Sequence, residues 1–262
     1  MSSKQHTTII AEVGVNHDGL IDKAIALVDA AAFAGADVVK FQTFDPVELV
    51  QRDAPKARYQ QSADRVEESQ FEMLTRLTLS DDELERVAQH CEFRRIEFLS
   101  TAFGVVELQR LVELGIKRVK IPSGEITNKR FLQFVGALRL PVLLSTGMSS
   151  MEEVEDACSV LIQADVSDLT VLHCTSAYPA PLEDLNLRCL GTFNSRLGVK
   201  VGYSDHSRGI EVAVAAVALG SCVIEKHITL DVNAPGPDHS ASTEPDDFRR
   251  MVDMIQYRNC FG

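Results

Sequence analysis

Residues 223–231 read VIEKHITLD. The β-branched frame is that of a buried strand, yet Glu225, Lys226 and His227 stand in its middle. Burying three ionisable groups is costly unless they meet partners or do chemistry. Strand side chains alternate, so Glu225 and His227 share one face and Lys226 takes the other. In a parallel barrel, one face looks into the mouth and the other meets the surrounding helices. The reading that follows makes Glu225 and His227 site residues and Lys226 a structural cation, paired or snorkelling.

The rest of the chain supports that geometry. Short Val/Ile/Leu-rich runs at 8–13, 38–42, 97–100, 118–121, 142–145, 169–173, 199–203 and 223–227 predict strands. Helical patterns fill the gaps at 20–34, 81–93, 105–114, 129–138, 151–163, 185–193, 210–219 and 248–259. Ser80 with Glu83 reads as a capping box, and Gly35, Gly115 and Gly220 sit where C-terminal glycines belong. Eight strand–helix repeats in 262 residues predict a single-domain (β/α)8 TIM barrel, a fold that needs about 250 residues. A doubly wound sheet would place a Gly-rich GxGxxG turn after its first strand, and AEVGVNHDG has none. The polar connection from 44 to 79, containing APKARYQQSADRVEESQ, is either a lid or a solvated excursion.

Composition narrows the function. The chain is 45% apolar and 24% charged, with no apolar run near the roughly 20 residues of a membrane helix. Its first residues lack a signal-peptide pattern, so a cytoplasmic protein is expected, with no membrane partner. Cysteines 91, 158, 174, 189, 222 and 260 contain no CxxC pair, which predicts reduced thiols. A net charge of −12 disfavours nucleic acid, so none is expected as a partner, but it leaves room for a small anion held by a few convergent cations.

All eight strand ends are polar. They carry Glu12; Lys40 and Gln42; Ser100 and Thr101; Lys120, Ser123 and Glu125; Ser145 and Thr146; His173, Ser176 and Tyr178; Ser204, Asp205 and His206; and Glu225 with His227. His206 and His227 end neighbouring strands, near Asp205, Glu225 and Asp238, a donor set that suits a transition metal. Lys40 and Lys120, with the hydroxyls of Thr101, Ser123, Ser145 and Ser204, form an oxyanion cradle for phosphate and carboxylate together. The competing reading pairs the two lysines with Glu12 and Glu125. His17 stands open between turn and site, Cys174 reads as a packed thiol, and His6, His90 and His239 carry no functional reading. Other readings are an aldolase using Lys120 for a Schiff base and a ligand-binding barrel without turnover.

At these residues the chain resembles the barrel domain of sialic acid (N-acetylneuraminate) synthases and their nonulosonic acid relatives. The matching stretches are AEVGVNHDG, DVVKFQTF, LSTAFG, VKIPSGEI, LLSTGMS, LHCTSAYPAP, VGYSDHSRG, IEKHITLD and GPDHSASTEP, in order from residue 11 to about 245. The resemblance implies condensation of phosphoenolpyruvate with an N-acetylated hexosamine aldehyde, such as N-acetylmannosamine, giving a nine-carbon α-keto acid sugar and phosphate. It implies a divalent metal, Mn²⁺ with Mg²⁺ or Co²⁺ as alternatives, on His206 and His227. Phosphoenolpyruvate would lie on Lys40, Thr101, Lys120, Ser123, Ser145 and Ser204. The sugar would face Gln42, Glu125, Ser176, Tyr178 and Glu225, with Asp238 orienting a metal-bound water. Glu12 would steady the positive charge that develops at C2 of the donor. Synthases acting on N-acetylmannosamine can carry Asn where this chain has Ser176, which leaves the acceptor open. Family members commonly dimerise and carry a further C-terminal antifreeze-like domain that reaches the sugar. A chain ending at Gly262 is therefore expected to be the barrel alone, with a weaker hold on the sugar.

Overall fold

The computed structural model describes residues 6–63 and 67–258. Cys260 and the expected helix end at residue 259 lie outside the described residues. Eight parallel strands pair in chain order and close on themselves: β1 (Thr8–Gly14), β2 (Val38–Thr43), β3 (Glu97–Ala102), β4 (Val119–Ile121), β5 (Val142–Ser145), β6 (Leu169–Cys174), β7 (Lys200–Asp205) and β8 (Val223–His227). The helices that alternate with them are α1 (Ile21–Phe33), α5 (Asp81–Arg94), α6 (Val105–Glu113), α7 (Lys129–Ala137), α8 (Met151–Gln163), α9 (Cys189–Leu197), α10 (Glu211–Ala218) and α11 (Pro245–Arg258). The segment between β2 and α5 adds three more: α2 (Pro46–Leu49), α3 (Arg58–Ala63) and α4 (Gln70–Leu77). This is the expected (β/α)8 barrel.

Two apolar layers hold it. Outward strand residues such as Ile9, Val39, Phe41, Val171 and Ile224 pack with Leu27, Leu84, Leu108, Leu161 and Phe248 from the helices. Inside, Ile10, Val38, Leu99, Leu143, Leu172 and Val223 fill the barrel floor. Gly202 leaves room there: a Cβ on it would come within 2.6 Å of Leu172 Cδ2 and 2.8 Å of the Val223 carbonyl. One pleat above this floor the inward positions turn polar, which fixes where a ligand can sit.

Local signals act as expected at most helix ends. The Ser80–Glu83 capping box forms, and Gly35, Gly115 and Gly220 take φ of +80°, +82° and +102°. Helix α9 starts four residues later than the expected 185, because Asn186 adopts φ +43° and Gly198 at φ +64° ends it. The described residues of the 44–79 connection form α2, α3 and α4. Its last helix is started by a second capping box, Ser69 with Glu72. Met73 and Leu77 of α4 bury against Val15 and Phe44, docking the segment onto the barrel rim.

Candidate active site

Strand register brings the polar ends together. Glu12 lies beside Lys40 on one side and His227 on the other, Thr101 beside Lys120, Ser204 beside Glu225, and Cys174 beside Ser204. These side chains line a cavity of about 280 Å³ at the C-terminal mouth, together with Gln42, Ser123, Ser145, Ser176, Tyr178, His206 and Asp238. Every expected site residue except Glu125 lines it. Glu125 turns away and accepts a hydrogen bond from Asn128 Nδ2 at 2.7 Å.

The floor of the cavity is a four-charge cluster. Lys40 Nζ lies 2.7 Å from Glu12 Oε2 and 3.6 Å from Glu225 Oε2, and it donates to Thr101 Oγ1 at 2.8 Å. Lys120 Nζ donates to Glu225 Oε1 at 3.3 Å, and Ser204 Oγ donates to the same oxygen at 2.9 Å. All four charged side chains are at least 94% buried. Burial alone would neutralise them, and the neighbours decide which charges survive. Glu225, between two lysines, is held below the usual carboxylate range despite burial. Burial raises Glu12, with Lys40 opposing and Glu225 adding to the rise. Burial lowers Lys120, while the charges of Glu12 and Glu225 overcome the same penalty and raise Lys40. The two lysine side chains at this floor are the groups that an anionic ligand would meet. Glu225 Oε2 is buried with Lys40 Nζ, at 3.6 Å, as its nearest cation.

The histidine pair stands beside this cluster. His206 Nδ1 lies 2.7 Å from the Thr175 carbonyl, so it carries the proton and donates there. That leaves the Nε2 lone pair aimed into the mouth, 3.3 Å from Tyr178 Oη and 3.3 Å from Ser204 Oγ. The His227 ring lies 5.6 Å from it, centroid to centroid, and burial keeps both imidazoles neutral. Two neutral imidazoles side by side, one with its Nε2 lone pair aimed into the mouth, are donors of the kind that a divalent transition metal takes. Among the described residues no group of three or more His, Cys, Asp or Glu closes around one point, so no carboxylate or thiolate among them completes such a site. Gly14, at φ +55°, lets the strand pass close by: a Cβ there would sit 3.2 Å from Asp238 Oδ2 and 3.3 Å from His227 Cε1. Burial raises the Asp238 carboxyl to about 7, with the Glu12 charge adding to it.

Several strand-end groups do not join the site. Asp205 faces the helices and accepts from Lys226 Nζ at 2.7 Å, both side chains fully buried, so it is no neighbour of the histidine pair's open side. Ser100 bonds Thr43, Thr146 bonds the Leu172 carbonyl, and His173 Nε2 bonds the Leu185 carbonyl at 2.7 Å. His17 is a turn residue: its Nδ1 accepts from the Gly19 amide, its ring packs on Phe41, and burial lowers it to about 4. Cys174 is packed, as expected, and also lines the cavity.

The 44–79 segment supplies lining residues that the strand-end reading missed: Tyr59, Gln60, Met73, Leu74 and Leu77. Tyr59 stacks on Tyr178 at 5.2 Å, and Tyr178 lies 4.2 Å from the His206 ring. The Ser69-x-x-Glu72 pattern ahead of an apolar run was the available signal for α4.

Comparison with known proteins agrees with the barrel fold. The NeuB family model matches residues 27–260. The chain is 44% identical to the N,N'-diacetyllegionaminic acid synthases of Campylobacter jejuni and Legionella pneumophila, over 95% of its own length and 75% and 71% of theirs. Among solved structures, the sialic acid synthetase of Leptospira borgpetersenii superposes with a TM-score of 0.88 at 32% identity, over 99% of this chain and 86% of that one. The chain belongs to the NeuB family.

Proposed function

We propose that the protein condenses phosphoenolpyruvate with the open-chain aldehyde of an N-acetylated hexosamine, giving a nine-carbon α-keto acid sugar and phosphate. The observation that carries the reading is the buried cluster of Lys40, Lys120, Glu12 and Glu225 sharing one mouth with two neutral histidines. The names of the two relatives at 44% identity support a nonulosonic acid product.

Lys40 and Lys120, with Thr101, Ser123, Ser145 and Ser204, bind the phosphate and carboxylate of the donor. Gln42, Ser176, Tyr178 and Glu225 face the sugar. His206 and His227 hold a divalent cation, Mn²⁺ or in its place Mg²⁺ or Co²⁺, which when bound polarises the acceptor aldehyde. The donor C3 forms the new bond to the aldehyde carbon, and positive charge develops at C2. Glu12, buried beside Lys40, stabilises that charge and accepts a proton from the water that adds to C2. Asp238, able to hold a proton near neutrality, orients water at the same mouth. Collapse of the adduct breaks C–O, and the bridging oxygen leaves with phosphate. Lys120, lowered by burial, favours an imine-forming aldolase. Borohydride trapping of a keto acid on Lys120 would establish that reading instead.

The deciding assay is phosphate release from phosphoenolpyruvate with Mn²⁺. The acceptor panel is N-acetylmannosamine, its 6-phosphate and 2,4-diacetamido-2,4,6-trideoxymannose. Sugar-dependent release that His206→Ala abolishes supports the reading. Release that ignores the sugar, or that survives the substitution, rejects it.

A further inference from the structure

Asp238 does not sit on a strand. It lies within residues 228–243, which leave β8 and return to α11 with only a short 3-10 turn at His239–Ala241. The neck of this loop is closed by the Ile228–Thr243 bridge and by backbone bonds from Thr229 to Thr243 and from Thr243 to His227. Asn16, from the turn after β1, clasps both legs. Its Nδ2 donates to the Ile228 carbonyl at 2.9 Å and to Ser242 Oγ at 2.9 Å, and Ser242 Oγ donates onward to the Asp238 carbonyl at 2.6 Å. His239 ties the tip, meeting Thr229 Oγ1 at 2.7 Å and Asp18 Oδ1 at 3.2 Å. Backbone packs closely on that ring: a Cβ on Gly236 would lie 2.6 Å from His239 Cδ2.

Neither Asn16 nor His239 lines the cavity, and both are at least 97% buried. Asn16 Oδ1 is buried without a hydrogen-bond partner, a cost that an apolar side chain would avoid. Its amide therefore has value at this position through the two bonds that Nδ2 makes. Beyond its neck the loop has no strand ladder, so these side-chain contacts add to its order, and a displacement of about 1 Å in a reacting group can cost about 100-fold in rate. We infer that Asn16 and His239 are positioning residues that fix Asp238 against Gly14 and His227 at the mouth; the inference rests on the proposed condensation.

The test is a double-mutant cycle on the full chain, using the panel sugar that gives the fastest phosphate release. Asn16→Ala and His239→Ala each lower kcat at least about 10-fold, with the KM for phosphoenolpyruvate changed less than about 2-fold. In an Asp238→Asn background the same two substitutions change kcat less than about 2-fold. Where that background turns over too slowly, calorimetric titration of the same sugar replaces kcat in the cycle. If Asn16→Ala melts below the assay temperature, Ser242→Ala, which removes one of the two Nδ2 contacts, takes its place. Equal losses with and without Asp238 overturn the inference while leaving the condensation standing. A wild-type chain that releases no phosphate with any panel sugar overturns both.

Discussion

Burial sets the chemistry of the single side chains, and Asp238 shows the sign most clearly. Its folded value, about 7, lies above the ordinary 3.8, so the folded chain holds this proton more tightly than the unfolded chain. The stability linked to that proton is complete below about pH 4 and is lost as pH rises through 7. Asp238→Asn keeps the shape without the charge. At pH 8, in chelator, it should melt roughly 5 °C above the parent, and the two curves should converge near pH 4. Equal melting temperatures at pH 8 would show that the carboxyl is not strained. The histidines carry a complementary expectation: His206→Ala or His227→Ala should lower kcat/KM for condensation more than about 100-fold, with circular dichroism unchanged. Much of this residue pattern was legible in the sequence, because the alternation of Glu225, Lys226 and His227 fixes which groups look inward. It was ambiguous where two polar residues adjoin at a strand end. Of Ser100 and Thr101, Ser145 and Thr146, and Ser204 and Asp205, one member of each pair enters the mouth. Composition gives no phase for such pairs, and Asp205, read as a neighbour of the histidines, pairs with Lys226 instead.

At the scale of elements, the outward member of one such pair becomes a staple. Lys226 Nζ on β8 binds Asp205 Oδ2 on β7 at 2.7 Å and the Ser207 carbonyl at 2.9 Å. Asp205 Oδ1 in turn accepts from the Ser207 amide and hydroxyl. Both charges are fully buried, so removing one strands the other. Lys226→Ala should cost about 3–5 kcal/mol in urea unfolding. The Asp205→Ala, Lys226→Ala double variant should lose less than the sum of the single losses. A cost below about 1 kcal/mol would contradict the burial of the pair. The eight strands and most helices were readable because each repeats an apolar period with a capping residue or glycine at its end. Helix α9 was displaced because the apolar run from Leu185 contains Asn186, whose backbone no helix accommodates. Helices α2 to α4 were missed because a polar, charged segment of that length resembles a loop. Only the Ser69–Glu72 box and three buried or lining residues of α4, Met73, Leu74 and Leu77, mark the docked part.

At the scale of the whole molecule, a net charge of −12 surrounds a mouth whose floor offers two buried ammonium groups. The diffuse surface charge repels an anion weakly and is screened within about 8–10 Å at ordinary salt. The lysines lie in a water-poor pocket, where screening is slight and contacts are stronger. An anion that bridges Lys40 and Lys120 would therefore bind the folded chain alone and stabilise it by mass action. At about 100 times its dissociation constant that amounts to about 2.7 kcal/mol. For a chain of this size the melting temperature should rise by roughly 5–10 °C with phosphoenolpyruvate, and the shift should persist in about 0.5 M NaCl. Lys120→Met removes one cation and leaves Glu225 with Lys40 alone. Each chain is compared with itself, with and without phosphoenolpyruvate, so any loss of intrinsic stability in the variant cancels. A shift confined to the parent places the anion on the cluster, whereas an equal shift in both chains, or one abolished by salt, places it on the surface and removes the electrostatic basis of the proposed donor site.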